Sequence, residues 1–98
     1  MTRGTTPTLT FSIPYQASEI QKGYITFSQH HRPVFEVGLE DMELQDGKII
    51  VTLTQRQTLQ LCPDDVMVQI RLLLEGDQAV ASQQMELHVQ DILKDGVI

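Results

Sequence analysis

The sequence predicts an all-β protein, and two observations lead to that class. Short segments alternate apolar and polar residues at a period of two, which places every second side chain on one face of a strand. Turn residues such as Asp46-Gly47 and Glu75-Gly76-Asp77 separate these segments about every ten residues. Six or seven short antiparallel strands at this spacing are typical of an immunoglobulin-like β-sandwich rather than an α/β fold.

The first half of the chain contains three predicted strands. Residues 8–13 alternate hydroxyl and apolar side chains between two prolines, so we expect this strand at the edge of a sheet. Residues 18–21 have the spacing of a capping box, which predicts one helical turn before the strand at residues 24–29. Residues 30–33 are a predicted hairpin turn, and residues 34–37 form the returning strand.

The second half of the chain continues the pattern. A short alternating segment ends at Asp46-Gly47, a strong hairpin signal, and residues 49–53 form the next strand. Residues 54–57 repeat the capping-box spacing, so one helical turn should carry the chain between sheets. Residues 66–74 form the longest and most apolar strand, which we place centrally. Residues 84–93 fit a strand or a helix, and simple pairing with residues 66–74 favours the strand.

Length and charge narrow the class of protein. A chain of 98 residues predicts one domain over residues 1–98, with residues 1–7 as a flexible lead-in. The net charge of −6 makes nucleic acid an unfavourable partner. No apolar run exceeds the three residues found, for example, at 72–74, which is far shorter than the ~20 residues of a membrane helix, so we expect no membrane partner. The N-terminal residues also lack the apolar block of a secretory signal.

No segment carries a catalytic or metal-binding signature, so we expect no enzymatic activity, cofactor or metal. Adjacent His30 and His31 would point to opposite faces of a strand, which favours a solvated turn over a metal site. The acidic residues between positions 40 and 46 lack the spacing of a calcium loop. Cys62 has no disulfide partner, which favours a reducing cytoplasm. We expect its thiol to be structural and at least half-buried.

Aromatic residues leave one alternative function open. Phe11, Phe27 and Phe35 are in register with inward apolar residues and are predicted core residues. Tyr15 and Tyr24 remain as the aromatics on which a sugar could stack. A carbohydrate-binding module is therefore the alternative to a protein-binding role.

Several stretches of the chain share one resemblance. They are TTPTLTF at residues 5–11, KGYITFSQ at 22–29, LTQ at 53–55, TL at 58–59, QIRL at 69–72 and ILKDGVI at 92–98. Together they resemble a family of small proteins from phages and prophages of Gram-positive gut bacteria, found among genes for virion or tail proteins. The chain is more distantly similar to the N-terminal immunoglobulin-like domain of phage baseplate upper proteins.

The resemblance implies a structural role in a phage particle and transfers no catalytic residue. It places the chain in the virion, and in the host cytoplasm during assembly. The baseplate protein continues into a stalk and receptor-binding region, whereas this chain ends at Ile98. A tail or baseplate accessory or adaptor is therefore the implied role.

Two surfaces of the predicted sandwich are candidate interfaces. An edge strand can accept a strand from a partner, which singles out Thr8, Thr10 and Ser12. An exposed sheet face can form an apolar contact, which singles out Met67 and Leu73 on the outer face of the longest strand. The expected partners are other phage structural proteins or a second copy of this chain.

Overall fold

The computed structural model describes all 98 residues, which form two antiparallel sheets packed as a sandwich. The strands are β1 (Thr8–Ser12), β2 (Ile20–Gln29), β3 (Arg32–Gly38), β4 (Glu43–Gln45), β5 (Lys48–Thr52), β6 (Asp65–Leu74), β7 (Gln78–Ala81) and β8 (Met85–His88). The helical elements are the α-helix α1 (Gln55–Leu59) and 3₁₀ turns at Ala17–Glu19 and Leu39–Asp41.

The order of the strands is that of an immunoglobulin-like sandwich. One sheet has the order β1-β5-β4, and the other has the order β3-β2-β6 with both β7 and β8 on the far side of β6. If β1 to β6 are taken as strands B, C, C′, D, E and F, the sheets read B-E-D and C′-C-F-G. The predicted fold class is confirmed. There are eight strands rather than six or seven because β7 and β8 share the single G position.

The G position is divided in two at Ser82. The Ser82 hydroxyl oxygen accepts the Ile70 N–H at 3.0 Å, and the Ser82 N–H donates to the Ile70 carbonyl at 2.8 Å. The serine side chain thus takes a place in the ladder, and pairing with β6 resumes at Met85. The expectation that residues 66–74 form a central strand is confirmed. The strand expected within residues 84–93 is confirmed only for Met85–His88, and the residues that follow are not in a strand.

Two tight turns have the backbone that their hairpins require. His30 and His31 connect β2 to β3 with φ angles of 53° and 63°. Positive φ at both central residues is the geometry of a type I′ hairpin turn, which matches the right-handed twist of the strands. Asp46 and Gly47 connect β4 to β5, and Gly47 has φ of 79°. Both predicted turns are confirmed.

The two predicted capping boxes have different outcomes. Thr54 Oγ1 accepts the Gln57 N–H at 3.1 Å and Gln57 Oε1 accepts the Thr54 N–H at 2.8 Å, so this box begins α1 and carries the chain between sheets. The box predicted at residues 18–21 is wrong in position. The Gln16 N–H donates to Glu19 Oε2 at 2.7 Å, and the 3₁₀ turn ends at Glu19 because Ile20 already begins β2.

The core lies between the sheets and consists of fourteen buried apolar residues. Phe27 is fully buried and stacks on Phe35 with ring centroids 4.5 Å apart. Phe35 and Phe11 are partly buried against this core, so the inward positions of the three phenylalanines are confirmed. Cys62 is exposed, so the expectation of a buried or half-buried thiol is wrong.

One polar side chain in the core holds the loop before β6 to the end of β2. Gln29 is 6% exposed at the end of β2. Its Oε1 accepts the Cys62 N–H at 2.8 Å, and its Nε2 donates to the Cys62 carbonyl at 3.0 Å and the Asp64 carbonyl at 3.4 Å. Cys62 is thus held through its main chain, which leaves its side chain on the surface.

The N-terminal residues lie along the sheet that contains β8. The Arg3 N–H donates to the Gln90 carbonyl at 3.0 Å, and the Gln90 N–H donates to the Met1 carbonyl at 2.8 Å. The Arg3 side chain donates to the carbonyls of Leu61 at 2.6 Å and Leu59 at 3.1 Å. The segment interpreted as a lead-in therefore starts in one sheet and crosses to the other at β1.

Candidate interaction surfaces

The first candidate surface is the free edge of β1, which pairs only with β5. The Leu53 N–H bonds to the Pro7 carbonyl and the Ile13 N–H bonds to the Gly47 carbonyl, which fixes the phase of the ladder. Because hydrogen-bonded pairs alternate in an antiparallel ladder, the main-chain groups of Thr8, Thr10 and Ser12 point away from β5. These three residues are also exposed. The edge position predicted for this strand is confirmed.

The other three sheet edges carry features that discourage pairing. Strand β4 has three residues and includes Glu43. Strand β3 contains Pro33, and its register with β2 shifts at a bulge between Phe27 and Ser28. Strands β7 and β8 have four residues each, and Met1–Arg3 covers the end of β8. Only β1 has a run of five residues without a proline, charge or bulge.

An opening between the sheets lies beside β1. Ile13 and Tyr15 border it on the side of β1, and Ile70, Leu72 and Val80 border it on the opposite sheet. Its volume is about 200 Å³. Half-buried apolar side chains, among them Ile13, Tyr15 and Val80, therefore remain incompletely covered at this side of the sandwich.

The second candidate surface is the outer face of β6. Met67 and Leu73 both lie on this face and are half-buried. They are six residues apart, which is about 20 Å along a strand, with Gln69 and Arg71 between them. The two side chains therefore belong to separate surface depressions of about 360 and 300 Å³ and do not form one continuous apolar patch.

The two tyrosines considered for sugar stacking lie on different surfaces. Tyr15 borders the opening beside β1 and packs against the core. Tyr24 is 47% exposed on the outer face of β2, opposite Arg71 on β6. The two rings therefore do not form a shared platform.

The end of the sandwich near the β2–β3 turn gathers the three histidines of the chain. His30 Nε2 lies 3.1 Å from Asp64 Oδ2, and His88 Nδ1 lies 3.1 Å from Asp65 Oδ1. The hydrogen bond from His88 lowers the pKa of Asp65, whereas the neighbouring Asp65 carboxylate raises the pKa of Glu86. No three histidine, cysteine, aspartate or glutamate side chains come together in an arrangement that could hold a metal ion.

Comparisons add no relative from which a function could be transferred. Neither a protein-family model, nor a curated protein, nor a solved structure matches the chain. None of the helices has the length and apolar character needed to cross a membrane.

Proposed function

We propose that the chain is a non-enzymatic structural protein of a phage or prophage virion, where it acts as a tail or baseplate accessory or adaptor through protein–protein contacts. The observation that carries the proposal is the free edge of β1. Thr8, Thr10 and Ser12 direct unpaired main-chain groups away from β5, and their side chains are exposed on the outer face of the sheet. An edge of this kind binds an extended segment by adding it to the sheet.

The contrast among the edges supports this role. Exposed pairing edges promote aggregation, and the other edges of this sandwich are short, bulged, charged or covered. An assembly contact requires an edge that can pair with a partner, and β1 is the one edge of this sandwich without features that discourage pairing. The proposed location in the virion rests on the sequence resemblance. The same resemblance suggests that the partner is another structural protein of the particle or a second copy of the chain.

Copurification with particles tests the proposal. Phage particles from an induced culture of a strain that carries the gene should retain the chain through density-gradient purification. An antibody raised against the purified chain should then label the particles at a fixed position on the tail. Particles free of the chain, with the chain left entirely in the soluble fraction, would overturn the virion assignment.

A carbohydrate-binding module is the second candidate, and Tyr24 is the observation that favours it. Its exposed ring borders a depression of about 300 Å³ that Lys22, Arg71, Leu73 and Ala79 also line. A ring with donors beside it can stack on a sugar and hydrogen-bond its hydroxyls. Binding of the chain to a glycan array, lost in Tyr24→Ala and kept in Tyr15→Ala, would establish this function instead.

A further inference from the structure

We propose that the β1 edge pairs with the β1 edge of a second copy of this chain. The two three-stranded sheets would join across a two-fold axis into one sheet of six strands, β4-β5-β1-β1-β5-β4. This pairing rests on the proposed function, because it names the partner for the surface described there. It is argued from the register of β1, its charge and the opening beside it.

The register of such a pair follows from the bounds of β1 and from the proline that ends its outward phase. The outward main-chain groups belong to alternate residues, Thr8, Thr10 and Ser12, and the next position in that phase is Pro14, which has no N–H to donate. Pro7 precedes the strand at the other end. An antiparallel pair that uses all three outward residues must therefore place Thr10 opposite its own copy and Thr8 opposite Ser12.

This register satisfies every outward main-chain group of β1. Each of the three opposed pairs would exchange two N–H to carbonyl bonds, as the hydrogen-bonded pairs of an antiparallel ladder do. On the outer face, threonine would meet threonine across the axis, a favourable cross-strand pair. On the inner face, Leu9 would meet Phe11 of the other copy at the closer, non-hydrogen-bonded positions.

The charge of the segment favours a second copy over a different protein. A two-fold axis brings each position near itself, so a charged residue close to the axis would meet its own charge. Residues 4–18 carry no charged side chain, in a chain with a net charge of −6. A partner held by opposite charge would need charged residues here, whereas self-pairing across the axis is favoured by their absence.

The opening beside β1 gives the second strand an apolar surface to cover. Ile13 and Tyr15 lie on the side of β1, and Ile70 and Val80 lie below on the other sheet. A strand added beside β1 extends the smaller sheet on the side of this opening, which Ser12, Ile13 and Tyr15 border. In the register given above, Leu9 is the inward side chain of the second copy that lies nearest to it. Main-chain bonds and apolar burial would thus act at the same place.

Sedimentation equilibrium of the full chain over a concentration series tests the pairing. The weight-average mass should rise from 11.1 kDa toward twice that value as the concentration increases. Thr10→Lys places two lysines opposite each other and should weaken association at least about tenfold, since like charges in direct opposition are unfavourable. Thr52→Lys is the matched control, because Thr52 is exposed on the same sheet face but lies on β5, away from the edge.

Mixing two variants tests the two-fold register directly. Thr10→Lys and Thr10→Glu alone should each associate more weakly than the original chain, and an equimolar mixture should form a heterodimer because opposite charges then face each other. Circular dichroism of both variants should match that of the original chain, since Thr10 is exposed and its N–H points away from β5. Failure of the mixture to associate would overturn the register.

Other outcomes overturn the pairing itself. A constant mass of 11.1 kDa at every concentration would exclude a second copy as the partner. An equal loss of association in Thr10→Lys and Thr52→Lys would indicate stacking of sheet faces rather than pairing of edges. A monomeric chain that still copurifies with phage particles would overturn only this inference, whereas a dimer absent from the particles would overturn only the virion assignment.

Discussion

The buried amide of Gln29 gives the most informative test of how this sandwich is held together. Gln29→Leu keeps the approximate volume of the side chain but removes its hydrogen bonds to the Cys62 N–H, the Cys62 carbonyl and the Asp64 carbonyl. Each such bond contributes about 0.5–1.5 kcal/mol net. We therefore expect a loss of about 3 kcal/mol in the free energy of unfolding.

Urea denaturation monitored by circular dichroism measures this loss. The midpoint should fall without a change in the denaturant dependence, because the surface exposed on unfolding stays similar. A loss of this size is a large share of the roughly 5–15 kcal/mol typical of a domain. It corresponds to a fall in Tm of about 12–24 °C for a chain of this length.

Gln69→Leu is the matched control for this substitution. Gln69 is half-buried on the outer face of β6 and makes one hydrogen bond, from Nε2 to the Ser82 carbonyl at 3.0 Å. Its loss should cost about 1 kcal/mol or less. A Gln29→Leu variant no less stable than Gln69→Leu would refute the claim that Gln29 holds the loop before β6 to the end of β2.

Three further predictions concern single contacts. Arg3→Lys should lower the free energy of unfolding by about 1–2 kcal/mol in a urea titration. An ammonium group cannot bond to both the Leu61 and Leu59 carbonyls as the guanidinium group does. Unchanged stability would show that these two bonds are dispensable. Thr54→Ala should cost about 1 kcal/mol through loss of the α1 cap, whereas Thr54→Ser should cost much less, and equal effects would contradict the capping role. Asp65→Asn should lower the pKa of Glu86 in a carboxyl NMR titration, because the Asp65 carboxylate is what raises it. Because the pKa of Glu86 is raised in the folded state, the free energy of unfolding falls as the pH rises through that pKa. Asp65→Asn should also reduce this fall.

Much of the fold could be predicted because its signals are local. The phase of alternation in residues 8–13 and 66–74 already assigns the inner and outer faces of β1 and β6. Asp46-Gly47 and the spacing from Thr54 to Gln57 depend only on neighbouring residues, and both formed as expected. The turn before β2 was misplaced because two overlapping segments fit a capping box. One runs from Gln16 to Glu19 and the other begins at Ser18, and the start of β2 decides between them.

What the sequence did not predict depends on contacts between distant segments. Arg3 belongs to the segment predicted as a flexible lead-in, yet its partners at Leu59 and Leu61 lie almost sixty residues away along the chain. Cys62 is exposed because Gln29 binds its main chain, which only the folded topology brings together. The position of Gln29 in the inward phase of β2 was a usable signal, since a polar residue there must find a partner.

The candidate surface was predictable in one part and not in the other. Two prolines around an uncharged alternating segment indicated the free edge at β1, because edge position follows from local sequence. The separation of Met67 from Leu73 was also implied by strand geometry. The opening beside β1 was not, because it results from how Ile13 and Tyr15 meet Ile70 and Val80 across the sandwich.

Residue-resolved amide hydrogen exchange, measured by NMR at low and high protein concentration, tests the central claim that β1 is the assembly edge. In dilute solution the amides of Thr8, Thr10 and Ser12 should exchange rapidly, because their N–H groups have no partner within the chain. At high concentration these three amides should become protected while exposed amides elsewhere keep their rates. Unchanged exchange at β1, with protection appearing on another surface as the chain associates, would contradict the account.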